Sequence, residues 1–313
     1  MRPALTPGRA EVPTDSVRGV RPMPGAAGRT RTGRRRLAGY LVRALTASPL
    51  TAAAALMVAA WLLLAAGAPL VAPYAPLQQD IVHRLTPPSW THWAGTDTVG
   101  RDVLSRVIYG ARISIPVGVI SVSLAVVLGT LVGGFAGFLG GPADEALMRA
   151  TDIMLAFPTV IMAMVITAAL GPGVRDAVIA IMIAWWPSYA RLTRGTVLSV
   201  REREYIDAAR SLGVSPARVL FRHVLPNAMS PTLVLGTLDV GQAILVFASL
   251  SFLGLGPPPE LPEWGSMIAT GRNYLHQWWL GTFPGLALLT LVVALNLVGD
   301  GIRDAVDPRL RDR

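Results

Sequence analysis

Long uncharged runs constrain this chain more than any other feature. Residues 49–70 contain no charged side chain, and at about 1.5 Å per residue they are long enough to cross a hydrocarbon core about 30 Å thick. Further apolar runs over about 112–138, 153–171, 176–196, 230–255 and 281–300 bring the expected number of spans to six. In lipid the backbone has no water to bond to, so a helix is the economical way to satisfy each run. The composition agrees: with 52% hydrophobic and only 15% charged residues in 313, the chain is too apolar for a soluble domain. The expectation is an all-α membrane protein with six transmembrane helices.

Between the fourth and fifth runs lies a charged island, 201–226, that does not suit lipid. Tyr205, Ile206, Ala209 and Leu212 recur at helical spacing, while Arg201, Glu202, Arg203, Asp207 and Arg210 face other ways. That pattern predicts an amphipathic surface helix. Gly213 is placed to end it, and Ser215 followed by Pro216 supplies an N-cap and first-turn proline for a second short helix through about Val224. Leu225-Pro226 is expected to stop that second helix. Two short helices set at an angle between spanning helices form a knob that another protein can grip and push.

The remaining segments are read in the light of those spans. Residues 1–47 carry ten arginines among Pro, Gly and Thr, with only Glu11 and Asp15 against them. This predicts a disordered tail whose charge suits lipid headgroups rather than nucleic acid. The first run is expected to be an uncleaved anchor over 48–70, followed by an extramembrane loop over 71–107 containing Pro73, Pro76, Pro87 and Pro88. In that loop Asp97 and Asp102 offer helix caps and charge partners for Arg101 and Arg106. Gly129, Gly133, Gly134 and Gly137 are read as helix-packing residues. Asp144, Glu145, Arg149 and Asp152 are read as a short polar link, Pro158 and Pro187 as kinks inside spans, and Trp264, Trp278 and Trp279 as an interfacial belt.

Charge bias sets the orientation. With six spans and the N-terminus inside, 22 of the 28 basic residues fall on the inside. The positive-inside rule therefore puts both termini and the knob in the cytoplasm. Every basic residue is arginine, so the lysine of a Walker-type phosphate loop is missing and any ATP-driven step must come from another chain. The chain has no cysteine. His83, His92, His223 and His276 lack metal-ligand spacing, which leaves a membrane enzyme unsupported. A secondary transporter or channel is opposed by the scarcity of ionisable groups inside the spans and by the lack of visible inverted repeats.

Four stretches carry a resemblance. Asp207-Ala208-Ala209, Gly213 and Leu225-Pro226 fall at the spacings of the "EAA" signature of membrane subunits of binding-protein-dependent ABC importers, with Asp in place of the leading Glu and His223 where the pattern has Ile. Gly95 through Arg106 resembles the "GTDxxGRDxxSR" segment of the C-type permease subunits of dipeptide and oligopeptide importers. Leu250 through Ile268, with Trp278-Trp279-Leu280 and Phe283-Pro284-Gly285, and the ending Asn296 through Arg311 are similar to the same subunits. The resemblance covers about 90–311.

It implies a type I ABC importer permease fold: a five-helix transmembrane domain over 108–302 with a cytoplasmic coupling loop at 201–226, and a cytoplasmic tail over 303–313. The coupling residues it implies are Glu204, Tyr205, Asp207, Ala208, Ala209, Gly213, Ser215, Pro216, Leu225 and Pro226. The implied partners are a homologous B-type permease, two ABC ATPases carrying ATP and Mg, and an extracytoplasmic substrate-binding protein, in a bacterial inner membrane. No cofactor or metal is expected on this chain, and no nucleic acid. Cargo is expected to be di- or oligopeptide, with nickel or another metal chelate as the alternative. Where the family commonly has an acid before Ser-Phe-Leu-Gly, this chain has Phe247. Asp239 is the one acid expected deep in the bilayer, facing the path, where it would attract a cationic amine, or pairing with a polar group of a partner subunit. Asp239 and Phe247 are the path residues implied.

Overall fold

The structure, a computed structural model, describes residues 48–306. Eleven α-helices occupy most of that span: α1 (Pro49–Ala66), α2 (Ala68–Val71), α3 (Val103–Leu139), α4 (Gly141–Leu155), α5 (Thr159–Leu170), α6 (Val174–Arg201), α7 (Glu204–Ser211), α8 (Pro216–Val219), α9 (Leu225–Phe252), α10 (Trp264–Arg272) and α11 (Trp279–Val306). The expected tail over 1–47 lies outside the described residues, as do residues 307–313. Residues 303–306, expected in the C-terminal tail, continue α11.

Four helices are both long and apolar enough to cross a membrane: α1, α3, the continuous stretch Pro216–Phe252, and α11. The six-span expectation needs two adjustments. The run at 153–171 is not one helix, because α4 and α5 meet at a bend of 91° around Phe157-Pro158. Proline disfavours helical geometry in the residue before it, and Pro158 stands at the bend as the N-cap of α5; taken as one broken span, α4 and α5 together are long and apolar enough to be a fifth. The run at 176–196 lies inside α6, a 28-residue helix that is long enough but too polar to join the four. The supposed polar link is helical: Asp144, Glu145, Arg149 and Asp152 all ride on α4. Asp144 takes two hydrogen bonds from the Arg194 guanidinium, at 2.6 and 2.7 Å. These hold its carboxyl below the usual carboxylate value.

The most extensive helix pair is α3 with α6, and glycine spacing explains it. Gly129, Gly133 and Gly137 recur every fourth residue and so lie on one face of α3. A Cβ added at Gly129 would meet Tyr189 and the Trp186 carbonyl, at Gly133 the backbone of Ala190, and at Gly137 the Arg194 carbonyl. The two backbones touch with no side chain between them, the arrangement that small-residue spacing makes possible in lipid.

The end of the bundle opposite the knob is closed by polar ties. Asp102 caps α3 by accepting from Ser105 N at 2.7 Å, and its other oxygen meets His92 Nδ1 at 2.9 Å. Asp97 accepts from Arg101 Nε at 2.6 Å. Arg106 donates to the carbonyls of Pro259, Glu260 and Leu261, so the loop before α3 is fastened to the proline-rich turn after α9. Trp264 donates to the Val107 carbonyl and Trp279 to the Thr96 carbonyl. Both indoles are buried, and only Trp278, at 56% exposure, is placed like a belt residue. Hydropathy marks a tryptophan as amphipathic without revealing whether its N–H finds a partner inside. Glu263 caps α10, accepting from Gly265 N and Ser266 N. Burial pushes its carboxyl up, while those two backbone bonds pull the other way.

Candidate functional site

The knob has the turn chemistry its sequence announces. Helix α7 ends at Ser211, Gly213 adopts φ +77°, Gly213 N donates to the Arg210 carbonyl at 2.9 Å, and Val214 N to the Ala209 carbonyl at 3.2 Å. These two bonds make a Schellman motif, which uses up two carbonyls that would otherwise be orphaned at the helix end. A Cβ at Gly213 would meet nothing within 4 Å. Backbone geometry alone therefore requires glycine there. Pro216 then opens α8 as expected, and Ser215 stands at the N-cap position without a side-chain capping bond.

Leu225-Pro226 does not stop the second helix. Residues Leu220–Val224 form a π turn, closed by Leu225 N donating to the Leu220 carbonyl, and the chain passes straight into α9. A proline in an α-helix loses one N–H and clashes with the carbonyl four residues back. Widening the turn just before Pro226 relieves that clash, which is how helix and proline coexist here.

The knob is anchored by a small core of Val197, Val200, Ile206, Val219, Leu220, Val224, Leu225 and Ala228. Of the apolar set read on α7, only Ile206 is buried and Ala209 is half-buried, while Tyr205 is 41% and Leu212 84% exposed. Glu204, Asp207, Ala208, Gly213, Ser215, Pro216 and Pro226 are exposed as well, whereas Leu225 belongs to the anchoring core. The free surface thus joins two carboxylates to two large apolar side chains, with a loose Asp207–Arg210 pair at 3.4 Å. Such a mixed patch suits a protein groove better than water alone.

One anchoring residue is not evident from the sequence pattern. Arg201 Nη1 donates to the carbonyls of Gly137 and Phe138 at 2.9 and 3.4 Å. It satisfies the last turn of α3 and favours the negative end of that helix. An arginine at the edge of an island with other basic residues carries no mark that distinguishes it.

The two path residues part company. Phe247 is fully buried among Val117, Val122, Ile181 and Leu250, so its side chain is core and presents nothing to a path. Asp239 accepts from the Tyr189 hydroxyl at 2.6 Å, a bond between α9 and α6, and Thr193 and Thr232 bond at 3.0 Å between the same two helices. The polar partner expected on another subunit is met inside the chain instead, at Tyr189. Among the described residues, no group of three or more His, Asp or Glu side chains is arranged to hold a metal ion.

Comparison with known proteins bears on this arrangement. The chain is 46% identical over 270 residues to the probable D,D-dipeptide transport system permease protein DdpC of Escherichia coli K12, covering 86% of this chain and 91% of that protein. It is 47% identical over 252 residues to the di/tripeptide transport system permease protein DppC of Pseudomonas aeruginosa, covering 78% and 83%. A solved inward-facing structure of the MetNI methionine ABC transporter superposes with a TM-score of 0.51 at 19% identity, covering 64% of this chain and 97% of that one. It shares the fold, a helical type I importer permease. A family profile matches residues 129–312, which include α6, the whole knob and α9. This chain therefore belongs to the family of binding-protein-dependent transport system inner membrane components.

Proposed function

We propose that this chain forms one half of the translocation path of an ATP-driven, binding-protein-dependent importer of di- or oligopeptides. It sits in the bacterial inner membrane with the knob end in the cytoplasm, as the arginine bias favours. A homologous permease supplies the other half of the path, two ATPase subunits carrying ATP and Mg engage the knob, and an extracytoplasmic binding protein delivers cargo. Peptide cargo is supported by the names of the relatives, which transport D,D-dipeptides and di/tripeptides. One observation carries the coupling role: Glu204, Tyr205, Asp207 and Leu212 are exposed on a helix whose Ile206 is locked into the core. A partner gripping that surface moves a fixed body instead of a flexible loop.

Co-purification tests the reading. The chain is tagged at its C-terminus and drawn from membranes of cells expressing its own operon. Recovery of a second permease and two ATPases is expected, with ATP hydrolysis that rises when the binding protein carries a dipeptide. Recovery of the chain alone, as a stable homo-oligomer, overturns it.

A further inference from the structure

The knob end of the bundle holds a second feature that the coupling role does not use. A cavity of about 830 Å³ opens among α6, α9 and the end of α11. Arg203 and Arg303 both line it, and neither forms an ion pair among the described residues. Among the described residues no acidic side chain lines it; Glu202, Asp300 and Asp304, nearest in sequence on the same segments, are exposed and outside the lining. Ser199 and Ser230 add hydroxyls. Thr196 and Asn227 are the other polar residues of the wall, and Leu192, Val234, Leu235 and Leu238 give it an apolar side.

Each half of that lining asks for a different chemistry. Two guanidinium groups with hydroxyls beside them match phosphate oxygens, since arginine donates in a planar fork. A free anion has no use for the apolar half. A molecule with a phosphate at one end and hydrocarbon at the other uses both, and basic pockets between spanning helices on the cytoplasmic side are where acidic lipid headgroups bind.

We propose that this cavity holds one acidic phospholipid, its phosphate met by Arg203 and Arg303 and an acyl chain lying along Leu235 and Leu238. Arg203 immediately precedes α7, so the lipid ties the base of the knob to the end of α11. The inference rests on the membrane-spanning fold and is independent of the cargo.

The test uses the purified full complex, exchanged into nanodiscs of phosphatidylcholine containing a minor fraction of phosphatidylglycerol and then released for native mass spectrometry. Wild type is expected to retain phosphatidylglycerol in preference to phosphatidylcholine. With each arginine contributing about fivefold, an Arg203→Gln/Arg303→Gln double variant is expected to lose that preference by roughly 25-fold. Val234→Trp, which fills the apolar half and leaves the arginines in place, is expected to expel the lipid as well. Undiminished retention in the double variant overturns the proposal. So does binding of inorganic phosphate that depends on the arginines and ignores Val234→Trp, which assigns the cavity to a free anion. Cross-linking from Ser199→Cys to the second permease, with no lipid retained, assigns it instead to the interface between subunits.

Discussion

Replacing Gly213 isolates the contribution of one backbone angle to the knob. The residue sits at φ +77°, and a Cβ there would meet no atom within 4 Å. Gly213→Ala therefore introduces no clash. Its cost is the left-handed conformation itself, about 1–2 kcal/mol for an ordinary L-residue, partly offset by the smaller entropy of the unfolded chain, about 0.4–1 kcal/mol. A net cost near 1 kcal/mol raises the population of the opened turn about fivefold. Asparagine tolerates this conformation better, so Gly213→Asn should open the turn about twofold. The amides of Gly213 and Val214, which donate to Arg210 and Ala209, report the opening directly by hydrogen exchange in the purified complex. Dipeptide-stimulated ATP hydrolysis is expected to fall in the same order, glycine above asparagine above alanine, with membrane insertion unchanged. Equal loss of coupling in both variants without faster exchange would refute the strain argument, because the added side chain would then be obstructing a docked partner.

Four further outcomes are expected. Gly133→Leu should cost about 3 kcal/mol through overpacking against the Ala190 backbone, while Gly195→Ala, where a Cβ meets nothing, should raise stability by up to about 1 kcal/mol; thermal unfolding of the purified complex separates the two. Arg201→Gln should lower stability by roughly 2 kcal/mol through loss of the charged donor at the end of α3, and a neutral effect in the same assay would remove that tie. Tyr189→Phe should destabilise more than Asp239→Asn, since the asparagine still offers an oxygen to the tyrosine hydroxyl; a change of dipeptide preference in Asp239→Asn, read by competition uptake, would instead put Asp239 in the path. Asp144 has a folded pKa below its unfolded value, so its stabilising effect is complete above about pH 4 and is lost as pH falls through the lower folded value. The gap in melting temperature between wild type and Asp144→Asn should therefore be constant from pH 7 to about 5 and close below about 4.

Local chemistry was the legible part of this chain. Gly213 and Pro216 do in the structure what their spacing announces, because helix ends are decided within a few residues. Asp97 and Asp102 likewise find their partners nearby, at Arg101 and Ser105. The misreadings came where one local rule meets a second constraint. Pro226 ought to stop a helix, yet a widened turn absorbs it. Pro158 lies in an apolar run, yet the chain turns there through 91°. Contacts between distant residues were beyond reach: Tyr189 and Asp239 are fifty positions apart, and neither indicates in sequence which polar group it will meet. Trp264 and Trp279 pass for interfacial residues until the carbonyls of Val107 and Thr96 are seen beside their indoles.

The glycine face of α3 has a mechanical consequence. Side chains that interlock can slip by changing rotamer, but two backbones in contact have no such freedom. Arg201, the last residue of α6, is also bonded to the final turn of α3, so the two helices are joined along their length and again at the tip. A displacement entering at the knob is consequently borne by a double beam, and bending is excluded from α3 and α6 individually. Compliance is left to the joint where α9 meets this beam, tied by the side-chain bonds Tyr189–Asp239 and Thr193–Thr232.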